Sequence, residues 1–542
     1  MSAIDAGIVP QPKPESLAPS FYSGKRSLRG WLFTRDHKRI AILYTLSVTL
    51  FFLLGGAAAA MIRYDLIVPS GELPTEVYNK AFTFHGVVMV WFFLLPSIPV
   101  TLGNFLLPIM IGAKDLAFPR INLFSWYLFI GGGAFVVAAL WAGGVDTGWT
   151  FYTPYSTMFS NTNVYLAIIG VFVTGFSTIF TGLNFIVTTH TMRTPGMTWM
   201  RLPLFVWGLY AVSVVMVLAT PVLAMTLALV GLERVVGVGV FDPSLGGDPL
   251  LFQHLFWFYS HPAVYMMILP AMGLASEIIS CFTSRRVFGY KFMTYSMLAI
   301  AVIGFMVWGH HMFVSGMSVY AAMVFSLLSF LVAVPSAIKI FNWTATLRKG
   351  DIRFTAPMLY ALGFVGLFLL GGLTGLILAA PALDEFLHDT YFVIAHFHYV
   401  MVGGSVMCYL GGIHFWWPKV TGRMYSERLA KFAAVLMFVG FNVTFFPQYL
   451  LGYRGMPRRY HSYLPQFQEL NVISTGGAVL LAISYTLPVL YLLWSLKYGK
   501  KAPPNPWDAR GLEWQTSSPP PKENFLHPPV PREAYAYDKP AP

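Results

Sequence analysis

Apolar runs of bilayer length constrain this chain more than any single motif does. A helix crossing the hydrocarbon core needs about 20 mostly apolar residues. Such runs lie near 40–62, 84–112, 122–142, 164–190, 203–231, 251–281, 292–314, 318–346, 355–379, 389–414, 429–451 and 473–497, about twelve in all. Only 11% of the 542 residues are charged and 56% are hydrophobic, whereas soluble domains carry about 25% charged residues. So little charge cannot cover a water-exposed surface. The 48 glycines and 16% aromatic content suit packed spanning helices with rings at the interfaces. The expected fold class is all-α, a polytopic membrane protein of about twelve transmembrane helices. Disordered, collagen-like and soluble-enzyme classes are excluded.

Lysine and arginine orient the bundle. One set of loops carries Lys114, Arg120, Arg193, Arg201, Arg285, Arg286, Lys291, Arg348, Lys349, Arg353, Lys419, Arg423, Arg428 and Lys431, and the tails add Lys25, Arg26, Lys500 and Lys501 among others. The alternate loops hold only Arg63, Lys80, Arg234, Arg454, Arg458 and Arg459. The positive-inside rule then puts both termini in the cytoplasm, as an even number of spans allows. The net charge of +12 reads as topology and gives no reason to expect nucleic acid. Three parts follow: a polar basic tail over 1–36, a twelve-helix domain over 37–500 and a Pro-rich tail over 501–542. No cleavable signal peptide is expected. The Pro-rich tail reads as too polar to bury a core, running along the inner surface or against a partner subunit.

With two cysteines, Cys281 and Cys408, there is no disulfide framework, no CxxC and no CxxCH. Any metal must be held mainly by histidine. Six histidines sit in or at the ends of apolar runs: His85, His261, His310, His311, His396 and His398. One such residue is more often a packing residue, but ionisable groups in spans are costly and mark function by default. On a helix His396 and His398 point about 200° apart, which suits two separate groups, one on each face; two haems, each bound through a neutral imidazole, fit that pattern. His310 and His311 diverge by about 100° and can share one ion if a third ligand comes from a neighbouring helix. Three histidines of that kind suit copper and leave positions open for substrate. His261 is the candidate third ligand, and His85 a candidate second axial ligand to one haem. Tyr265 shares a helix face with His261, so its phenol is a candidate donor of an electron and a proton.

The ordered blocks His85-Gly86-Val87-Val88-Met89, Gly112 to Arg120, Gly246 to Trp257, His261-Pro262-Ala263-Val264-Tyr265, Trp308 to Phe313, His388 to His398 and Gly455 to Tyr460 resemble subunit I of the haem–copper oxygen reductases, in their cytochrome c oxidase branch. The resemblance runs from Thr34 to about Asn524. It implies His85 and His398 as the axial pair of a low-spin haem, His396 as the single ligand of the oxygen-binding haem, and His261, His310 and His311 on copper, with Tyr265 covalently joined to His261. It implies Arg458 and Arg459 at haem propionates with Trp149 nearby, Arg63 at a haem formyl group, and His388 and Asp389 on magnesium. Two haems of the A type, one copper and a magnesium are therefore the expected cofactors. The reaction implied is reduction of O2 to water with electrons from cytochrome c or another respiratory complex, coupled to proton translocation across a bacterial plasma membrane. Subunits II and III are the expected partners, subunit II supplying the electron-accepting copper site, for which this chain has no cysteines to spare.

Two polar rows resemble the proton paths of that family. One holds Lys339 with Ser329, Ser336 and Ser276; the other runs from Asp115 through Asn104, Asn122 and Asn184 to Ser177 and Thr178. The departure is Ala263, where many relatives carry a glutamate. Tyr259 and Ser260, just before His261, match a subgroup expected to relay protons through that pair instead. Positions corresponding to a known quinol site read Leu54, Ala58, Val77 and Lys80, which disfavours quinol of that kind. Nitric oxide reduction is disfavoured by Tyr265 and both rows, and a non-redox transporter leaves the histidines unexplained.

Overall fold

The computed structural model describes residues 19–23 and 27–537. Residues 1–18, the first half of the expected N-terminal tail, lie outside that description, as do 24–26, with Lys25 and Arg26, and 538–542. Among the described residues, eleven helices are long and apolar enough to span a bilayer: His37–Asp65, Thr75–Met110, Pro119–Trp141, Val164–Thr191, Leu204–Val236, Pro249–Thr283, Val319–Leu347, Ala356–Leu378, Tyr391–Thr421, Glu427–Tyr453 and Pro465–Tyr498. A shorter apolar helix, Tyr290–Gly304, occupies the remaining expected position.

That helix corrects the expectation of a continuous span over 292–314. It stops at Gly304, which lies under the Tyr265 ring where an added Cβ would come within 2.6 Å of Cδ2. A 3₁₀ turn, Trp308–Met312, then carries His310 and His311. The 100° step assumed for that pair is therefore replaced by the wider turn of a 3₁₀ segment, about 120° per residue.

Neighbours in sequence pack as neighbours in space, Pro119–Trp141 against Val164–Thr191 and Leu204–Val236 against Pro249–Thr283, for example. Pro249–Thr283 is the most enclosed span, buried over most of its length. Helices Thr75–Met110 and Tyr391–Thr421 both widen into π-helical turns just beyond a histidine, at Val88–Leu94 after His85 and at Met401–Val406 after His398. Such widenings gather at functional sites because they re-aim the side chains of the preceding turn.

The Pro-rich tail departs from its reading. Trp507, Leu512, Trp514, Phe525 and Tyr535 are buried. Trp507 Nε1 donates to the Phe415 carbonyl at 2.8 Å, and the buried Lys419 ammonium donates to the carbonyls of Pro504, Thr516 and Ser517. Composition hid this because proline and polar residues outnumber the few aromatics that anchor the segment to the helix ends.

Candidate functional site

A cavity of about 1430 Å³ runs through the middle of the bundle, and all six singled-out histidines line it. Each of the three candidate haem ligands is fixed through Nδ1. His85 Nδ1 lies 2.9 Å from the Gly55 carbonyl and His398 Nδ1 lies 2.8 Å from that of Ile394. His396 Nδ1 lies 3.0 Å from the Gly371 carbonyl and 3.1 Å from Thr374 Oγ1. A ring that donates from Nδ1 to a carbonyl keeps Nε2 as a lone-pair donor, the tautomer a metal requires. His396 and His398 leave their helix in different directions, one toward Gly371 and Thr374 and the other stacked 4.2 Å from the Phe445 ring.

His261 of helix Pro249–Thr283 meets His310 and His311 of the 3₁₀ turn. Their ligand atoms all lie within 4.8 Å of one another, the only such group of three among the described residues. Ring centroids are 4.4 Å apart for His261 and His310 and 5.3 Å for His261 and His311. His310 Nδ1 is held 2.8 Å from Ser329 Oγ, whose own proton goes to the Phe325 carbonyl. Trp257 stacks on His311 at 3.8 Å. His261 Nδ1 faces His311 Nε2 at 3.1 Å, and His261 Nε2 is buried without a hydrogen-bond partner. Three neutral imidazoles converging without a carboxylate suit a transition ion better than a cluster of protons. Tyr265 lies 4.6 Å from His261, ring to ring and edge-on.

The cavity's end opposite the basic loops is cationic. Arg458, Arg459 and Trp149 line it, with Arg63 on its flank. Asp389 pairs with Arg458 at 2.7 Å. Burial opposes ionisation of Asp389, yet Arg458, His388 and Arg459 together hold its carboxyl below the ordinary value. Burial, then the Arg458 charge, lowers the Arg459 guanidinium to about 10. Two guanidiniums against one carboxylate leave a surplus suited to an anionic ligand. Arg63 is tied to Asn471 and Thr475, its terminal nitrogen 2.9 Å from the Asn471 carbonyl. His388 contacts Asp384 at 3.0 Å, a buried carboxylate that spacing alone did not single out.

The two polar rows are partly assembled. Asn104 and Asn122 close a reciprocal amide pair, both bonds at 3.0 Å. Ser177 joins Ser125 through the Tyr44 hydroxyl, at 3.1 and 2.9 Å. Asn184 spends both amide ends on the backbone of Phe118, so it clamps the loop behind Asp115. Thr178 bonds back to Thr174 on its own helix. Burial raises the Asp115 carboxyl to about 7, partly offset by the Leu116 N–H. In the other row Lys339 is fully buried with Nζ 3.0 Å from the Met293 carbonyl. Ser276 accepts from Trp343 at 3.0 Å, while Ser336 and Ser329 line the cavity. Tyr259 is buried and stacked on Trp91 at 5.7 Å, and Ser260 Oγ is buried without a partner at the cavity wall.

Thr374, Trp257, Tyr44 and Asp384 were not singled out from the sequence, and Ser329, expected in the lysine row, was not expected to hold His310. Trp257 precedes His261 by one helical turn and carried a readable signal. Asp384 is i,i+4 to His388, a local spacing that was overlooked, whereas Thr374 and Tyr44 bond across helices, which linear spacing does not encode.

A family profile described as cytochrome c and quinol oxidase polypeptide I matches residues 39–480. The cytochrome c oxidase subunit 1 of Bacillus subtilis is 43% identical over 91% of this chain and 80% of its own length. The protein of that name from a Synechocystis strain is 44% identical over 92% of this chain and 90% of its own. A haem–copper terminal oxidase dimer solved by cryo-electron microscopy shares the fold, with TM-score 0.73 at 20% identity, over 86% of this chain and 84% of that one.

Proposed function

The chain belongs to the cytochrome c and quinol oxidase polypeptide I family, and from that premise we propose that it is the catalytic subunit of a terminal respiratory oxidase in the plasma membrane. In this reading electrons from cytochrome c reduce O2 to water, and the reaction is coupled to proton translocation. The observation that carries it is the convergence of His261, His310 and His311 in the same cavity as three imidazoles anchored through Nδ1.

His85 and His398 would hold one haem, His396 the other, and the three-histidine cluster one copper; when bound, these supply the electrons for cleaving the O–O bond. The protein's share is positional and electrostatic. Gly55, Ile394, Gly371 and Thr374 fix the tautomer and rotation of the haem-facing rings. Ser329 and Trp257 do the same for His310 and His311. Tyr265, ring to ring 4.6 Å from His261, would release a proton and an electron from its phenol, and the covalent joining to His261 that the resemblance implies would keep it there. Arg458, Arg459 and Trp149 would receive propionates, and Arg63 the formyl group of an A-type haem. His388 and Asp389 would take magnesium, with further ligands from water and subunit II. Asp115, Asn104, Asn122, Ser177 and then Tyr259 with Ser260 form one proton route, and Lys339, Ser276, Ser336 and Ser329 the other. The missing carboxyl at Ala263 makes the unpartnered Ser260 hydroxyl the acceptor nearest the cavity on the first route. Subunit II brings the electron-accepting copper site, with subunit III completing the complex.

Oxygen uptake by the purified complex tests this reading. Reduced cytochrome c should support turnover at least tenfold faster than a quinol; the reverse order would assign the chain to the quinol-oxidising members of its family.

A further inference from the structure

Asn524, in the Pro-rich tail, is completely buried. Its backbone takes the left-handed conformation, with φ 62°, which asparagine accepts more readily than most residues. Its N–H donates to the Pro521 carbonyl at 3.2 Å and its carbonyl accepts from Thr516 Oγ1 at 2.7 Å, so a tight turn aims the amide into the bundle. Nδ2 lies 2.9 Å from the Ala113 carbonyl and 3.2 Å from that of Lys114, the two residues before Asp115. The same nitrogen lies 3.1 Å from His37 Nε2, and Oδ1 accepts from the buried Lys38 ammonium at 2.8 Å. Carbonyls on one side and an ammonium on the other leave the amide only this orientation.

His37 carries the connection onward. Its Nδ1 lies 2.8 Å from the Asn104 carbonyl, so Nδ1 holds the proton and Nε2 accepts from Asn524. Asn104 is one half of the amide pair with Asn122. One side chain of the tail thereby ties the loop that presents Asp115 to the helix that carries the next polar group of the row. On the far side of Asp115, Thr188 and Asn184 accept from the N–H groups of Ala117 and Phe118 at 2.9 and 3.0 Å. Asp115 therefore lies between two grips, one from the tail and one from helix Val164–Thr191. The Lys419 ammonium and the buried aromatic residues already fasten the tail to the helix ends. A buried amide costs free energy unless its groups are bonded, and the side-chain bonds of Asn524 all go to the first helix and the Asp115 loop.

The charges around Asp115 come from the same elements. Asp36 and Lys38 stand at the start of the first helix and Glu523 in the tail; the two carboxylates oppose ionisation of Asp115 and the ammonium favours it. Asn184 and Thr188, on the third side, carry no charge. We propose that Asn524 is a positioning residue for proton entry, holding the Asp115 loop in register with His37 and the Asn104–Asn122 pair. Without its amide the two carbonyls before Asp115 lose their donor, the loop loosens on that side and water reaches the carboxyl. The inference rests on the oxidase reading, in which Asp115 stands where protons enter.

The test is oxygen consumption by the purified complex from pH 6 to pH 9, with reduced cytochrome c as donor. Asn524→Gly keeps the left-handed backbone and removes the amide. It should slow turnover about threefold or more, as misplacement of a transfer group does. The alkaline limb of the pH profile should move down by about one unit, because water around Asp115 lifts the burial that opposes its ionisation. The KM for cytochrome c and the haem spectrum should stay as they are. In an Asp115→Asn background the same substitution should change the rate no further, because the group it positions is gone. An unchanged rate, an unmoved profile, or equal slowing with and without Asp115 would overturn the proposal and leave Asn524 as an anchor of the tail. If Asn524→Gly fails to assemble, Asn524→Asp, which keeps the Lys38 bond and loses both donors, is read by the same comparison of rates. Absence of oxygen consumption in the unaltered complex would instead refute the oxidase reading.

Discussion

At the scale of single residues, Ala263 sets the sharpest demand. It holds only a methyl group where the family resemblance leads one to expect a carboxyl, and Ser260 Oγ lies unpartnered at the cavity wall one turn away, with Tyr259 buried beside it. Replacing Tyr259 with Phe and Ser260 with Ala together should slow oxygen turnover by about a hundredfold, the lower end of the range for loss of a positioned proton-transfer group. Oxygen uptake and proton release from vesicles measure it, and unchanged values of both would remove the pair from the route. Asp115 yields a pH prediction. Burial raises its folded pKa to about 7 from an unfolded value of 3.8. Between those values the folded chain holds a proton that the unfolded chain releases, so stability falls with rising pH across the window and levels off above it. Asp115→Asn should flatten that slope in thermal midpoints taken from pH 5 to pH 7.

At the scale of elements, most helices were legible because apolar length is a local property, and the set of histidines that line the cavity was legible because ionisable groups stand out in apolar runs. The break after Gly304 was not, since an apolar run reads the same whether it continues as a helix or folds into a 3₁₀ turn under a neighbouring ring. Nor were the cross-helix partners: Thr374 meets His396 and Ser329 meets His310 only through tertiary packing. Packing between elements can be tested at Gly452, where an added Cβ would run into the backbone of Phe392, one turn from His396. Gly452→Ala should destabilise the bundle by about 1–3 kcal/mol, the usual cost of overpacking, and lower the thermal midpoint of the detergent-solubilised complex. An unchanged midpoint would mean that these two helices are looser than the structure describes.

At the scale of the whole molecule, helices, tail and cavity form one device: spans enclose six imidazoles, and the terminal segment seals the basic end. Composition misjudged that seal, because Trp507 and Trp514 contribute little to an average dominated by proline. Ending the chain at residue 501 should expose Phe415 and Lys419 and lower the thermal midpoint by several degrees, measured on the assembled complex. What the six imidazoles hold decides the chemistry of the cavity. Metal analysis together with a reduced-plus-carbon-monoxide minus reduced spectrum of the purified complex tests it most directly. Two haem irons and one cavity copper per chain, with one haem of the two shifted by carbon monoxide, are the predicted result. A colourless complex, or one whose copper survives His310→Ala and His311→Ala together, would contradict it.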